Sequence, residues 1–158
     1  MLVESPLGNV FPNQEFQSID WLDLTWDQCL RRSIRKQTRG GKLVRTLLRL
    51  GLVLRHGDIL LRYAETIIAV NLLPCEVLVA EPENSIAAAS VAYKLGDLHV
   101  PLEMSGSEMI TLLDGPVQAL FAELEIPYRV ESRRFQPGLR SATAQVMLAN
   151  DFELVHTR

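Results

Sequence analysis

From Glu76 to Arg133 the chain alternates apolar runs with helix-forming stretches in one fixed order, and that order restricts the fold more than any other feature. Glu76-Val77-Leu78-Val79-Ala80 reads as a strand. Pro82-Glu83-Asn84-Ser85 supplies a helix start, with Asn84 or Ser85 at the N-cap, where a side-chain oxygen can accept from a free N–H of the first turn. An Ala-rich helix runs to about Leu95, with Gly96 as the expected left-handed terminator. Val100–Glu103 and Met109–Leu113 read as strands around the turn Ser105-Gly106-Ser107. Asp114 is placed to cap a second helix, with Pro116 in its first turn. Val117, Leu120, Phe121 and Leu124 fall at i, i+3, i+4 and i+7 and make one apolar stripe. Pro127 stops that helix, and Tyr128–Arg133 reads as a fourth strand. The order βαββαβ is that of a ferredoxin-like domain.

The rhythm before Asn71–Pro74 is different. Short apolar segments (Leu43–Leu50, Leu52–Leu54, Ile59–Leu61, Thr66–Val70) are separated by Gly51 and Gly57, which reads as a compact β domain. Gly57-Asp58 is a turn signal ahead of an apolar run. The first twenty residues read as a loose lead-in. The expected class is therefore α+β, a small all-β N-terminal domain (1–74) followed by a ferredoxin-like domain (75–137). A tail (138–158) has no strong period, with a possible helical stretch at Ala142–Leu148.

The chemistry available to such a chain is narrow. It has two cysteines, Cys29 and Cys75, and three histidines, His56, His99 and His156, no two of them close in sequence. That spacing excludes zinc fingers, CxxC redox sites and HExxH proteases. There is no P-loop and no Gly-x-Ser-x-Gly elbow, and neither cysteine has a histidine in sequence reach, so no enzyme chemistry is indicated. No apolar run approaches the roughly 18–20 residues of a membrane-spanning helix. No Lys or Arg precedes Arg31, so a secretory leader is not expected and a cytoplasmic location is.

Net charge is −3, but the signs are segregated. Residues 28–57 carry nine Lys/Arg and no acid. Within that run Arg31, Arg32, Arg35, Lys36 and Arg39 are candidates for partner binding, against the plainer reading of a solvated sheet face. Nucleic acid is disfavoured, because no aromatic interrupts the stripe to stack on bases and the whole chain is acidic. Among the histidines, His56 sits at a turn tip and reads as exposed, and His156 lies two residues before Arg158. His99 stands at a helix-to-strand junction, which fixes its direction at a domain edge; taken alone it still reads as a plain surface or core histidine.

Tyr93-Lys94-Leu95-Gly96-Asp97-Leu98-His99-Val100-Pro101-Leu102 resembles the Tyr-His-Leu-Gly-Asn-Arg-His-Val-Pro-Leu signature of the UreE family of urease accessory nickel metallochaperones. Gly51-Leu52-Val53-Leu54-Arg55-His56-Gly57-Asp58-Ile59-Leu60 is similar to that family's Gly-x-x-Leu-Arg-x-Gly-Asp element. The basic stretch Arg31–Arg39, the segment Asp114–Leu124 and the run Tyr128–Pro137 resemble the family in the same order, so the likeness extends from about Leu24 to Pro137. The resemblance implies a homodimer that binds Ni²⁺ as cargo and delivers it to the urease apoprotein together with accessory proteins that include a GTPase. It implies an N-terminal domain that contacts protein partners and a ferredoxin-like domain that dimerises. The family's nickel-binding histidine falls on His99, so that a two-fold axis would bring two copies together. Only neutral imidazole binds metal, so affinity is expected to fall as pH drops through roughly 6.5. Zn²⁺ and Cu²⁺ bind imidazole too.

The departures limit this reading. Many relatives carry a His-x-His pair where this chain has Leu112-Leu113-Asp114-Gly115, many end in a His-rich tail where this one offers only His156, and Leu98 replaces an arginine. Extra storage sites are therefore not expected, and His156 remains a candidate additional ligand. The rival readings are a scaffold of the same fold with little metal affinity, and an adaptor that uses its basic patch on nucleic acid or acidic partners.

Overall fold

A computed structural model describes residues 2–11, 18–63 and 66–138, and the chain divides into two compact units, Met1–Leu73 and Pro74–Arg158. The tail residues 139–158, with His156 and the helix expected at Ala142–Leu148, lie outside the described residues.

The first unit contains β1 (Leu2–Val3), β2 (Ser18–Leu24), α1 (Trp26–Leu30), β3 (Ser33–Gln37), β4 (Leu43–Leu47), β5 (Ile59–Arg62) and β6 (Thr66–Leu72). They form two three-stranded sheets, in the orders β1-β4-β3 and β2-β6-β5. The main core draws Ile34 and Val44 from one sheet and Leu22, Leu24, Ile68, Val70 and Leu72 from the other, with Cys29 and Leu48. β6 is central to its sheet, and its opposite face is buried as well: Ile67 and Ala69 cluster with Val10, Ile59 and Trp21. A strand buried on both faces has no polar side to show, which is why Ile67–Val70 reads as a continuous apolar run.

The sequence reading missed three elements here. β2 pairs with β6 in parallel, Ser18 opposite Thr66 and Leu24 opposite Leu72, a long-range match that Asp20 and Asp23 disguise in the sequence. β3 pairs antiparallel with β4, so the basic stretch is itself a strand. Within the expected loose lead-in, residues 2–11 are tied down: the Leu7 N–H donates to the Ile59 carbonyl at 2.8 Å and the Val10 N–H to that of Gly57 at 2.9 Å. In the other direction, the apolar segment Leu43–Leu50 is a strand only to Leu47, and Leu52–Leu54 is not a strand.

The Gly57-Asp58 turn is fixed by two constraints. Gly57 has φ +82°, and a Cβ there would lie 2.6 Å from Asn9 Oδ1, so neither the backbone nor the space admits a side chain. The Asp58 carboxylate accepts from the Arg55 N–H at 2.8 Å and from Asn9 Nδ2 at 3.1 Å, closing the loop from inside. Burial nonetheless pushes the Asp58 carboxyl above its ordinary value.

The second unit contains β7 (Cys75–Ala80), α2 (Ser85–Asp97), β8 (Glu103–Ser105), β9 (Glu108–Leu112), α3 (Gly115–Glu123) and β10 (Tyr128–Arg133). Its sheet order is β10-β7-β9-β8, antiparallel throughout, which is the ferredoxin-like arrangement. Leu78, Ala80 and Met109 pack against Val91 and Leu95 of α2 and Val117, Leu120 and Phe121 of α3. Asn84 caps α2 by accepting from the Ala87 N–H at 2.9 Å. Asp114 occupies the N-cap of α3, with Pro116 just inside, but its side chain makes no capping bond.

Thr111 is the polar residue out of place. It alternates with Met109 onto the helix-covered face of β9, is fully buried, and its hydroxyl has no hydrogen-bond partner among the described residues. A buried hydroxyl without a partner costs on the order of 1–3 kcal/mol. Thr111→Val, which keeps the shape, should therefore raise the unfolding free energy in urea by about 1 kcal/mol. A loss of stability would mean that the hydroxyl does satisfy a partner.

Candidate functional site

The candidate site is built on the way α2 ends. Gly96 does not terminate the helix, as its position in the sequence led one to expect; it stays inside, and the left-handed residue is His99 itself, at φ 56°. The His99 N–H donates to the Gly96 carbonyl at 3.0 Å and the Val100 N–H to the Leu95 carbonyl at 2.9 Å. This pair of bonds is a Schellman closure, and it brings Val100 back onto the cluster that contains Leu95. The reason it falls here and not at Gly96 is apolar: a stop at Gly96 would have put Asp97 in the position that must pack on the core.

α3 ends in the same way, with Glu125 at φ 54°, the Glu125 N–H on Ala122 (3.2 Å) and the Ile126 N–H on Phe121 (2.9 Å). A left-handed residue alone therefore does not mark a site. What distinguishes His99 is its chemistry and its surroundings. It is exposed at the end of a helix whose outer face is also apolar: Ile86 is 78% exposed, Tyr93 74% and Leu98 48%. Ile86, Ala89, Ser90 and Tyr93 follow helical spacing, so a stripe with small residues in its middle leads towards His99. The Ala-rich run concealed that stripe in the sequence reading.

The remaining described histidine and the two cysteines are placed differently. His56 is not simply exposed: its ring lies between Phe11 (centroids 5.5 Å apart) and Trp21 (5.9 Å, near parallel), and its Nδ1 accepts from the Leu72 N–H at 3.4 Å. The turn that carries it is drawn in because the Gly57 N–H donates to the Val70 carbonyl, laying it along β6. Cys29 is fully buried, and burial pushes its thiol up to about 12. Cys75 is half-buried and its thiol is also raised by burial. Among the described residues no three His, Cys, Asp or Glu side chains are grouped so as to hold a metal ion.

The basic candidates are largely engaged within the unit. Arg39 makes a two-pronged pair with Asp23, its closest contact 2.8 Å. Arg31 pairs with Asp27 one helical turn earlier at 3.1 Å. Lys36 Nζ donates to Gln28 Oε1 at 3.0 Å and Arg32 Nε to the Leu48 carbonyl at 2.7 Å. Arg35 is exposed on β3 and has no ion-pair partner among the described residues.

Two family models match the chain in sequence: the UreE urease accessory protein N-terminal domain over residues 4–73 and the corresponding C-terminal domain over residues 75–153. The chain belongs to the UreE family of urease accessory proteins. Relatives named urease accessory protein UreE include that of Haemophilus influenzae strain PittEE, 33% identical over 91% of this chain and 81% of its own length. The UreE of Halalkalibacterium halodurans is 30% identical over 86% of this chain and 91% of its own. That of Helicobacter pylori strain G27 is 30% identical over 98% and 99%. The match spans both units, so membership rests on the whole architecture and not on the His99 signature alone. No helix among the described residues is long and apolar enough to cross a membrane.

Two predictions follow from this geometry. The left-handed conformation costs a residue with a side chain about 1–2 kcal/mol, partly offset for glycine by its greater freedom when unfolded. His99→Gly should thus raise stability by roughly 0.5–1 kcal/mol and His99→Val lower it by about 1 kcal/mol or more in urea unfolding. The opposite order would mean that His99 makes a stabilising contact of its own. The second concerns acid. The Arg39 guanidinium holds the Asp23 carboxyl below its ordinary 3.8, with the Asn71 amide assisting. Its folded state therefore binds the proton less readily than the unfolded chain, so the stability it adds is complete above pH 3.8 and is lost as pH falls through the lower folded value. Asp23→Asn should be less stable than the wild type at neutral pH, and the gap should close in acid; a gap constant from pH 7 to pH 2.5 (about the range needed to titrate such a carboxylate) would contradict the pairing.

Proposed function

We propose that this UreE-family chain is a nickel metallochaperone of urease maturation, a homodimer that holds one Ni²⁺ between the two copies of His99. The observation that carries the reading is the placement of His99, exposed and held in a fixed backbone conformation at the end of an apolar, outward-facing stripe. A second copy of the chain would cover that stripe from Ile86 to Tyr93, and a two-fold axis would bring each His99 near its equivalent. Imidazole is a suitable donor for Ni²⁺, and a single histidine of one chain is too few; pairing supplies two. Water or a recipient's ligands would complete the coordination, which suits a metal that is to be passed on. The reading includes a cytoplasmic location and transfer to the urease apoprotein with the help of accessory proteins, a GTPase among them. His156 stands as an additional donor in this proposal, and Zn²⁺ or Cu²⁺ as competitors, Cu²⁺ being the tighter on general grounds.

The test is calorimetric titration with NiSO₄ alongside sedimentation. The wild type should be a dimer that takes up one Ni²⁺ per two chains. His99→Ala should stay dimeric and lose well over tenfold in affinity, more than the loss of an outer hydrogen-bond partner costs a metal site. Unchanged affinity and stoichiometry in that variant would remove His99 from the site. Absence of binding by the wild type at micromolar nickel would favour the scaffold reading, in which the same dimer assembles accessory proteins without carrying metal.

A further inference from the structure

The outer face of the β1-β4-β3 sheet carries a charge pattern that the fold does not compensate. Along β4 and just beyond it, burial alternates strictly: Val44, Thr46 and Leu48 point in, while Leu43, Arg45, Leu47 and Arg49 point out. Arg35 of β3 lies directly opposite Arg45, and Leu2 of β1 flanks Arg45 on the other side. Like charges paired across two strands destabilise a sheet. Arg35, Arg45 and Arg49 have no ion-pair partner among the described residues, whereas Arg129 and Arg133 on β10 are each held by glutamates, Arg129 by Glu81, Glu108 and Glu131. Between the arginines, Leu2, Leu43 and Leu47 are 54%, 42% and 41% exposed. The face carries one acid among the described residues, Glu4 on the edge beyond β1. At that same edge a cleft of about 350 Å³ opens beside Leu2, Leu7, Leu61 and Arg49.

We infer that this face docks an acidic, amphipathic polypeptide segment of a partner protein. Its carboxylates would meet Arg35, Arg45 and Arg49, its apolar side chains would cover Leu2, Leu43 and Leu47, and an apolar anchor would enter the cleft. Successive outward positions on a strand are about 6.8 Å apart, so charge and apolar groups alternate at the spacing of side chains on a polypeptide. A phosphate backbone would match the arginines but leave the leucines wet, and among the described residues the strands of this face carry no aromatic on which bases could stack. The surface lies in the first unit and owes nothing to His99, so it goes beyond the nickel proposal and stands or falls separately from it.

The probe is a fluorescein-labelled twelve-residue peptide of alternating Glu and Val, read by anisotropy against the full chain, with a Lys/Val peptide and a (dT)₁₂ oligonucleotide beside it. The Glu/Val peptide should bind, the Lys/Val peptide should not, and (dT)₁₂ should bind more weakly than the Glu/Val peptide. Arg45→Glu should weaken the acidic peptide about tenfold or more by reversing a charge in the contact. The same change places an acid opposite Arg35, so the melting temperature should hold or rise, which separates lost binding from lost folding. Leu47→Ser should weaken the peptide about threefold or more through lost apolar cover, at unchanged charge. Nickel uptake should be the same in Arg45→Glu as in the wild type. The inference is overturned if the Glu/Val peptide fails to bind, if Arg45→Glu leaves its affinity unchanged, or if (dT)₁₂ binds more tightly. It is overturned equally if Arg45→Glu changes the sedimentation of the free protein, since the face would then be covered by a second copy of the chain.

Discussion

Two backbone hydrogen bonds at the end of α2, His99 N–H to Gly96 and Val100 N–H to Leu95, are the constraint on which the candidate site depends. They satisfy carbonyls that the helix would otherwise leave free, and they turn the chain back so that Val100 lands on the core. The turn needs a left-handed residue between the helix and Val100, and this chain puts a histidine there where glycine would cost less. An energetically dearer residue, exposed at an apolar edge, is an observation from which function can be argued. Glu125, in the same conformation at the end of α3, keeps that argument in proportion, for there the side chain is one that any surface tolerates. It is the imidazole together with the exposed Ile86–Tyr93 stripe that makes the α2 end different from the α3 end.

The second unit was legible in the sequence because its signals are local. Asn84 and Pro116 mark helix starts within one turn, the Val117–Leu124 stripe fixes a buried face, and the strands fall where turn residues bound them, except that the one expected at Val100–Glu103 is Glu103–Ser105, because Val100 is taken up by the closure of α2. Even so, the one residue that matters most was misassigned in its backbone role. Gly96 looks like the terminator if glycine is the only criterion, and the correct register follows only when the residue after the left-handed position is required to be apolar. The same requirement places Glu125 before Ile126. The first unit was less legible because its pairing is not local: β2 finds β6 across more than forty intervening residues, and nothing within Ser18–Leu24 announces a parallel neighbour. Asp20 and Asp23 look like loop residues, yet both are consumed by structure: Asp20 accepts from the Thr38 hydroxyl and the Gly40 N–H, and Asp23 from Arg39 and Asn71.

The same bonds change the meaning of the charge segregation. Three of the five acids at the start of the chain, Asp20, Asp23 and Asp27, meet the run that follows, and β2 and α1 carry the two that Arg39 and Arg31 need. A count along the sequence treats the basic run as one surface, while the strand alternation sorts it into residues that hold the unit together and residues that face outward with no ion-pair partner among the described residues. Arg35 was among the candidates from the start; Arg45 and Arg49 emerge beside it only through the β3–β4 register.

A metal site made of one donor from each of two chains behaves unlike a site enclosed in one. In the arrangement proposed for His99, whatever factor association adds to nickel affinity is the factor by which nickel tightens association, because the two equilibria are linked. An apolar stripe strong enough to hold the dimer without metal takes that cost out of the binding step and leaves two imidazoles already facing each other. Rigid backbone at His99 serves the same end, since a donor on a mobile loop would lose its freedom each time metal bound. With only two donors committed, the remaining coordination positions are open to ligands from a recipient, and transfer can proceed by stepwise exchange while the dimer stays intact. A chain rich in histidine would gain capacity and lose that ease of release, so the scarcity of imidazole in this sequence suits the transfer site proposed for it.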